Sequence, residues 1–157
     1  MHREKITTEL LRAGALILSA PTGSGKSTQM PQFVLGKVPG KILVLEPRRL
    51  SARSLAGRVA VETKSNLGTT VGYQVRFDSR VGPDTKVIFQ TYGVFLSQML
   101  RDPSLPGIGA VLLDEFHERT LECDLSLAWL KRLRQKNRAD LKICVMSATL
   151  EAQELTK

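Results

Sequence analysis

The chain has 157 residues, 42% of them apolar and 24% charged, which excludes a disordered polar segment and supplies the core of a single domain. Lys and Arg outnumber Asp and Glu by 23 to 15, and the resulting formal charge of +8 favours a polyanionic partner through counterion release. No apolar run approaches the roughly 20 residues that span a bilayer, and the opening MHREKITTEL lacks the apolar stretch of a secretory leader. The expected location is therefore the cytoplasm, with no membrane contact.

In chain order, the first strand expected is ALILS, Ala15 to Ser19, followed at once by APTGSGKST at 20–28. The segment after it suits a helix, although Pro31 inside that helix removes a backbone donor and predicts a kink or a cost of about 3 kcal/mol. KILVLE (Lys41 to Glu46) reads as a second strand, and Ala52, Leu55, Ala56 and Val59 then recur at i, i+3, i+4 and i+7, one face of a helix. TVGYQVRF alternates instead, which predicts a half-exposed strand or hairpin arm with Val71, Tyr73, Val75 and Phe77 on one side. Strands at 86–90, 110–115 and 141–147 and helices at 93–101 and 124–135 complete the pattern. Strands alternating with helices predict an α/β fold: a mainly parallel sheet, buried on both faces, with helices on each side. Cys123 and Cys144 form no CxxC pair and have no histidine at ligand spacing, so both read as packing thiols. The basic run KRLRQKNR at 131–138 sits at the end of a predicted helix, where the dipole favours cations, and reads as a solvated face.

The chemistry concentrates in two places. The stretch from Ala20 to Ser27 has P-loop spacing, with Ala20 where the strict pattern has glycine. Backbone N–H groups of residues 23–26 are expected to converge on phosphate oxygens at a helix N-terminus, so the nucleotide set is Gly23, Ser24, Gly25, Lys26, Ser27 and Thr28. Lys26 would neutralise the β- and γ-phosphates, and the Ser27 hydroxyl would ligate Mg²⁺. LLDEFHE supplies the acidic partner: Asp114 ends an apolar strand as a metal-holding carboxylate, and Glu115 beside it would polarise a water and share the metal site. For both carboxylates to face one ligand the strand must break there, because neighbouring strand residues point to opposite faces.

These segments together resemble the DEAH-box (DEAH/RHA) helicases of superfamily 2. GSGKSTQMPQ looks like their motif I, EPRRLSA motif Ia, TYG motif Ib, DEFH motif II and SAT motif III, and they cover nearly the whole chain. EPRRLSAR, VGYQVRFDSRVG and DEFHER together are most similar to the bacterial HrpB-type branch. The resemblance implies a RecA-like P-loop NTPase domain that uses ATP and Mg²⁺ and binds single-stranded nucleic acid, RNA first. It also accounts for Pro31, since the family carries proline in its TQxPQ run.

Carried over by position, the resemblance puts Arg48, Arg49 and Thr91 on the nucleic-acid backbone. It places Arg76 and Arg80 in a hook-like hairpin at the RNA path, and Arg58 against the adenine. His117, Ser147 and Thr149 would couple the γ-phosphate to movement between lobes. Phe116 replaces the family's commonest alanine, and Tyr92 stands where an acidic residue is usual, so that it would stack or pack. No QRxGRxGR arginine-finger motif occurs in the sequence. Residues 1–157 are thus expected to form one lobe of a two-lobed motor, with little hydrolysis of its own. The alternatives are a nucleotide- or RNA-binding module without turnover and, fitting less well, a P-loop kinase.

Overall fold

A computed structural model describes residues 2–148 of the chain, so the expected coupling residue Thr149 lies outside the described residues. In chain order the elements are α1 (His2–Ala13), β1 (Ala15–Ser19), α2 (Lys26–Val34), β2 (Lys41–Glu46), α3 (Arg49–Glu62), β3 (Val71–Val75), β4 (Asp78–Arg80), β5 (Val87–Thr91), α4 (Tyr92–Arg101), β6 (Ile108–Leu113), a 3₁₀ turn (Phe116–Glu118), α5 (Leu121–Lys136) and β7 (Lys142–Ser147). The strands form one sheet in the order β1-β7-β6-β2-β5-β3-β4. All pairs are parallel except the β3–β4 hairpin.

The continuous apolar runs are explained by burial on both faces. Ile42, Val44, Ala110, Leu112, Cys144 and Met146 point into one core with Leu10 of α1, Met30 and Val34 of α2, and Ala52, Ala56 and Val59 of α3. Their neighbours Leu43, Leu45, Val111, Leu113, Ile143 and Val145 point into a second core with Phe95 and Met99 of α4 and Leu127 and Leu130 of α5. Each strand thus feeds two cores with period two, and only helices on both sides can bury both. Cys123 and Cys144 are free and buried, one in each core, as packing thiols should be. Burial pushes the Cys144 thiol up to about 12.

Several expectations need adjustment. α1 was not foreseen, because Leu10 with partly buried Ile6 and Leu11 is a short apolar signal. α2 continues through Pro31 to Val34, with the proline buried. β3 carries Val71, Tyr73 and Val75 inward, but Phe77 does not join them: it sits in the turn to β4 at φ 66° and is 89% exposed. α5 begins earlier than read, because the Thr120 hydroxyl accepts a hydrogen bond from the Cys123 N–H and caps it.

The basic run is only partly a solvated face. The Arg138 guanidinium donates to the carbonyls of Ser104, Leu105 and Ile108, at 2.8, 2.7 and 2.5 Å, and thereby staples the α4–β6 connection to the end of α5. It also pairs with Asp140, whose carboxyl it holds below the usual range. Arg138→Ala removes three hydrogen bonds to carbonyls, of which Leu105 still accepts from Ile108 N–H, and is expected to lower stability by about 1–3 kcal/mol. Urea unfolding checks this; a loss under roughly 0.5 kcal/mol, the level of an ordinary surface change, would contradict the staple.

Candidate nucleotide site

The parallel strands end on one edge, and there the motifs meet. Leaving β1, the chain turns through Gly23 and Gly25 at φ 84° and 83°, a left-handed backbone that glycine adopts freely, before entering α2 at Lys26. Gly25 brings no side-chain cap to α2, so the helix start presents N–H groups and positive dipole to an anion. Not every expected amide points outward: Ser24 N–H donates to the Pro21 carbonyl at 3.1 Å. Thr28 turns inward as well, its hydroxyl donating to the Gly25 carbonyl at 3.1 Å, and serves the loop's shape.

Facing the loop, β6 ends at Leu113 and the backbone changes hand, with Glu115 at φ 53°. The expected break therefore occurs, and it lets Asp114 and Glu115 line one cleft with the loop. Asp114 is held from several sides. Its N–H donates to the Leu45 carbonyl, its Oδ1 accepts from Glu115 N–H at 2.9 Å, and its carbonyl accepts from the Tyr92 hydroxyl at 2.7 Å. Tyr92 therefore packs instead of stacking. Glu115 Oε2 lies 3.1 Å from His117 Nε2, and His117 Nδ1 accepts from Ala148 N–H at 3.1 Å, which makes Nε2 the protonated nitrogen of the neutral ring. The preceding residue, Ser147, accepts the Ala20 N–H through its carbonyl at 3.1 Å. Motif III is thus tied at once to the base of the P-loop and, through His117, to Glu115.

The cleft measures about 560 Å³ and is lined by Gly23, Gly25, Lys26, Ser27, Thr28, Glu46, Arg48, Arg58, Asp114 and Glu115 among others. A larger groove of 760 Å³ lies between α5 and edge strand β1, but its walls are mainly apolar and carry none of the motif residues. Lys26 is buried in the cleft wall. Arg58, on α3, reaches the cleft and pairs with Glu62 at 3.2 Å; Glu62 also accepts from Gln29 and Gln32, and the Gln32 bond above all holds its carboxyl below the usual range. Arg48 also sits on the nucleotide side, paired with Glu118 at 2.7 Å. The other expected nucleic-acid residues are not gathered here. Arg49 begins α3, Thr91 caps α4 by accepting from Val94 N–H, and Arg76 lies on the β3–β4 turn with its guanidinium 4.8 Å from the Phe77 ring.

The residue that sequence reasoning missed is Glu46. It is 1% exposed, and its Oε1 and the Oδ2 of Asp114 are buried oxygens that receive no N–H or hydroxyl among the described residues. Burial, above all, and then the facing Asp114 carboxyl push Glu46 up to about 11, while Lys26 pulls weakly the other way. The available signal was a glutamate ending the otherwise apolar β2. Asp114, whose Oδ2 accepts no hydrogen bond among the described residues, lines one cleft with Ser27 and Glu115, a hard oxygen donor set that fits Mg²⁺.

The fold and this cleft define a P-loop domain of the RecA-like helicase type. More particularly, the chain belongs to the DEAD/DEAH box helicase family, which matches over residues 2–157. It is similar to the ATP-dependent RNA helicase HrpB of Escherichia coli (strain K12), with 48% identity over 96% of this chain and 19% of that protein. It is also similar to the probable ATP-dependent RNA helicase DHR2 of Saccharomyces cerevisiae, with 42% identity over 99% of this chain and 22% of that one. The crystal structure of the E. coli DEAH/RHA helicase HrpB superposes with a TM-score of 0.93 at 47% identity, over 98% of this chain and 20% of that one. The chain spans about a fifth of the length of these relatives. Among the described residues, no helix is long and apolar enough to cross a membrane.

Glu46 generates a pH prediction. Without nucleotide or metal, the folded chain keeps a proton on Glu46 that the unfolded chain loses above 4.5, so stability falls as pH rises from 4.5 towards about 11. Glu46→Gln keeps the shape and removes the titration. It is expected to be more stable than the parent by on the order of 1–3 kcal/mol at pH 8, with the gap closing towards pH 5. Urea melts at both pH values check it, and a gap that does not change with pH would contradict it.

Proposed function

We propose that the chain is the ATP-binding motor lobe of an RNA-dependent ATPase/helicase, coupling hydrolysis to movement along a single strand in the cytoplasm. The observation that carries the reading is the shared cleft. A buried lysine at an uncapped helix start lines the same cleft as an aspartate fixed through its backbone and Oδ1, whose buried Oδ2 accepts no hydrogen bond among the described residues.

The relatives' names, ATP-dependent RNA helicases, support ATP as the nucleotide and RNA as the strand. In this reading the α2 N-terminus and the Lys26 ammonium bind the β- and γ-phosphates. Ser27 and Asp114 Oδ2, with Glu115 nearby, hold Mg²⁺, which when bound supplies charge neutralisation and polarises phosphate oxygens. Glu115 orients the attacking water and accepts its proton. His117 holds the Glu115 carboxylate on one side and the Ala148 amide on the other, so a change at the γ-phosphate is felt at motif III, where Ser147 and Thr149 lie. Arg58 packs on the base.

On the nucleic-acid side, Arg49, Arg76 and Thr91 contact the strand backbone, which gives affinity without sequence reading. Exposed Phe77 adds an aromatic face beside Arg76 at the hairpin tip. Arg48, engaged by Glu118, stands between the two sites.

Turnover needs a second RecA-like lobe. An arginine finger contributes about 10³- to 10⁵-fold in phosphoryl transfer, and the resemblance places that finger on the other lobe. The 19% coverage of the E. coli relative leaves ample length for it there.

Titration with a fluorescent ATP analogue in Mg²⁺ tests the binding half of this reading. Lys26→Ala is expected to weaken binding about 10- to 100-fold, the worth of a charge-assisted contact, whereas Glu115→Gln, which changes the water's partner, retains it. Equal affinity in the parent and Lys26→Ala would contradict the reading.

A further inference from the structure

Tyr92 is the site residue whose role the family resemblance leaves open, because an acidic residue is usual there. It is 2% exposed, opens α4 directly after Thr91, and packs in the second core against Phe95 and the β2 and β6 strands. Its hydroxyl crosses 22 residues of sequence to donate to the Asp114 carbonyl at 2.7 Å.

That carbonyl belongs to the peptide joining Asp114 to Glu115. The N–H of the same peptide donates to Asp114 Oδ1 at 2.9 Å. The peptide is therefore held at both ends, by a core phenol on one side and by the aspartate's own carboxylate on the other. Its plane fixes two things at once: which oxygen of Asp114 is left without a hydrogen bond, and where the left-handed residue Glu115, at φ 53°, aims its side chain. A non-glycine residue in that region costs about 1–2 kcal/mol and needs outside contacts to persist. An ionised Asp or Glu in place of Tyr92 accepts hydrogen bonds and cannot donate one to a carbonyl, so a chain with an acidic residue there could not form this lock.

We propose that Tyr92 is a positioning residue of the nucleotide site, locking the 114–115 peptide and thereby tying Mg²⁺–nucleotide affinity to the β5–α4 junction where Thr91 meets the nucleic acid. The inference rests on the proposed nucleotide and strand sites. A strand that moves Thr91 moves the adjoining Tyr92, and the phenol passes the displacement to both carboxylates. By linkage, nucleotide binding must then bias strand binding by the same factor.

The test compares the parent with Tyr92→Phe, which keeps the ring and removes only the hydroxyl. Met99→Leu serves as the control, altering packing two turns along the same helix in the same core. A fluorescent ATP analogue is titrated in Mg²⁺ and in EDTA, with and without an oligouridylate, below the melting temperature of all three proteins.

Tyr92→Phe is expected to bind nucleotide like the parent in EDTA. It should lose about 3- to 10-fold of the gain that Mg²⁺ confers, the effect of one hydrogen bond, and its oligouridylate coupling should fall in step. Met99→Leu should melt lower and keep both. A parent-like Mg²⁺ gain and coupling in Tyr92→Phe overturns the proposal while leaving the nucleotide reading intact, and equal losses in Met99→Leu overturn it as a mere packing effect. A parent chain with no Mg²⁺-dependent binding at all overturns the nucleotide reading and this inference with it.

Discussion

The site depends on a change of backbone hand at the end of β6. Up to Leu113 the strand is buried on both faces and each residue belongs to one of two cores; one residue past Asp114 the chain enters the left-handed region. Continued as a strand, Asp114 and Glu115 would point to opposite sides of the sheet. The break puts both in one cleft, and contacts from three directions keep it there: the Leu45 carbonyl across the sheet, the Tyr92 phenol from the core, and His117 from the following 3₁₀ turn. The strain is local, and the two cores around it supply the rigidity that holds it.

The other half of the site comes from the same architecture. Parallel strands carry their loops to one edge, so the β1–α2 loop, the ends of β2 and β6 and the end of β7 come together without long excursions. The buried sheet lowers the local dielectric around Lys26, Glu46 and Asp114, which strengthens their mutual fields and makes an unneutralised carboxyl expensive. Glu46 responds by keeping its proton, which faces the Asp114 carboxylate, and a divalent cation bound at Asp114 would take over the neutralisation of that charge.

The sheet's inner strands were legible because burial on both faces leaves a long unmixed apolar signal. β2 has the limits read from the sequence and β7 differs by one residue, while the edge strand β1 keeps its limits on its short apolar run alone. α1 was not legible, since a helix anchored chiefly by Leu10 shows too few apolar repeats to stand out. Phe77 misled because alternation continues in sequence after the chain has already turned, and only the hairpin register, Val75 opposite Asp78, places it in the turn. Arg138 looked like any other charge in a basic run; its three carbonyl partners come from 30 to 34 residues away and leave no local trace. The P-loop and DEFH residues could be found because their chemistry dictates type and spacing together. That Glu46 and Tyr92 both act on Asp114 follows only from the tertiary structure, which brings the end of β2 and the start of α4 to the end of β6.

The central proposal is that this chain forms the ATP-binding lobe of an RNA-dependent ATPase that needs a second lobe for turnover. The most direct measurement is steady-state ATP hydrolysis by this chain with single-stranded RNA, alone and fused to a second RecA-like lobe from a relative. The account predicts turnover near background alone and RNA-stimulated turnover in the fusion, abolished by Glu115→Gln. RNA-stimulated hydrolysis of comparable rate by the chain alone would contradict it.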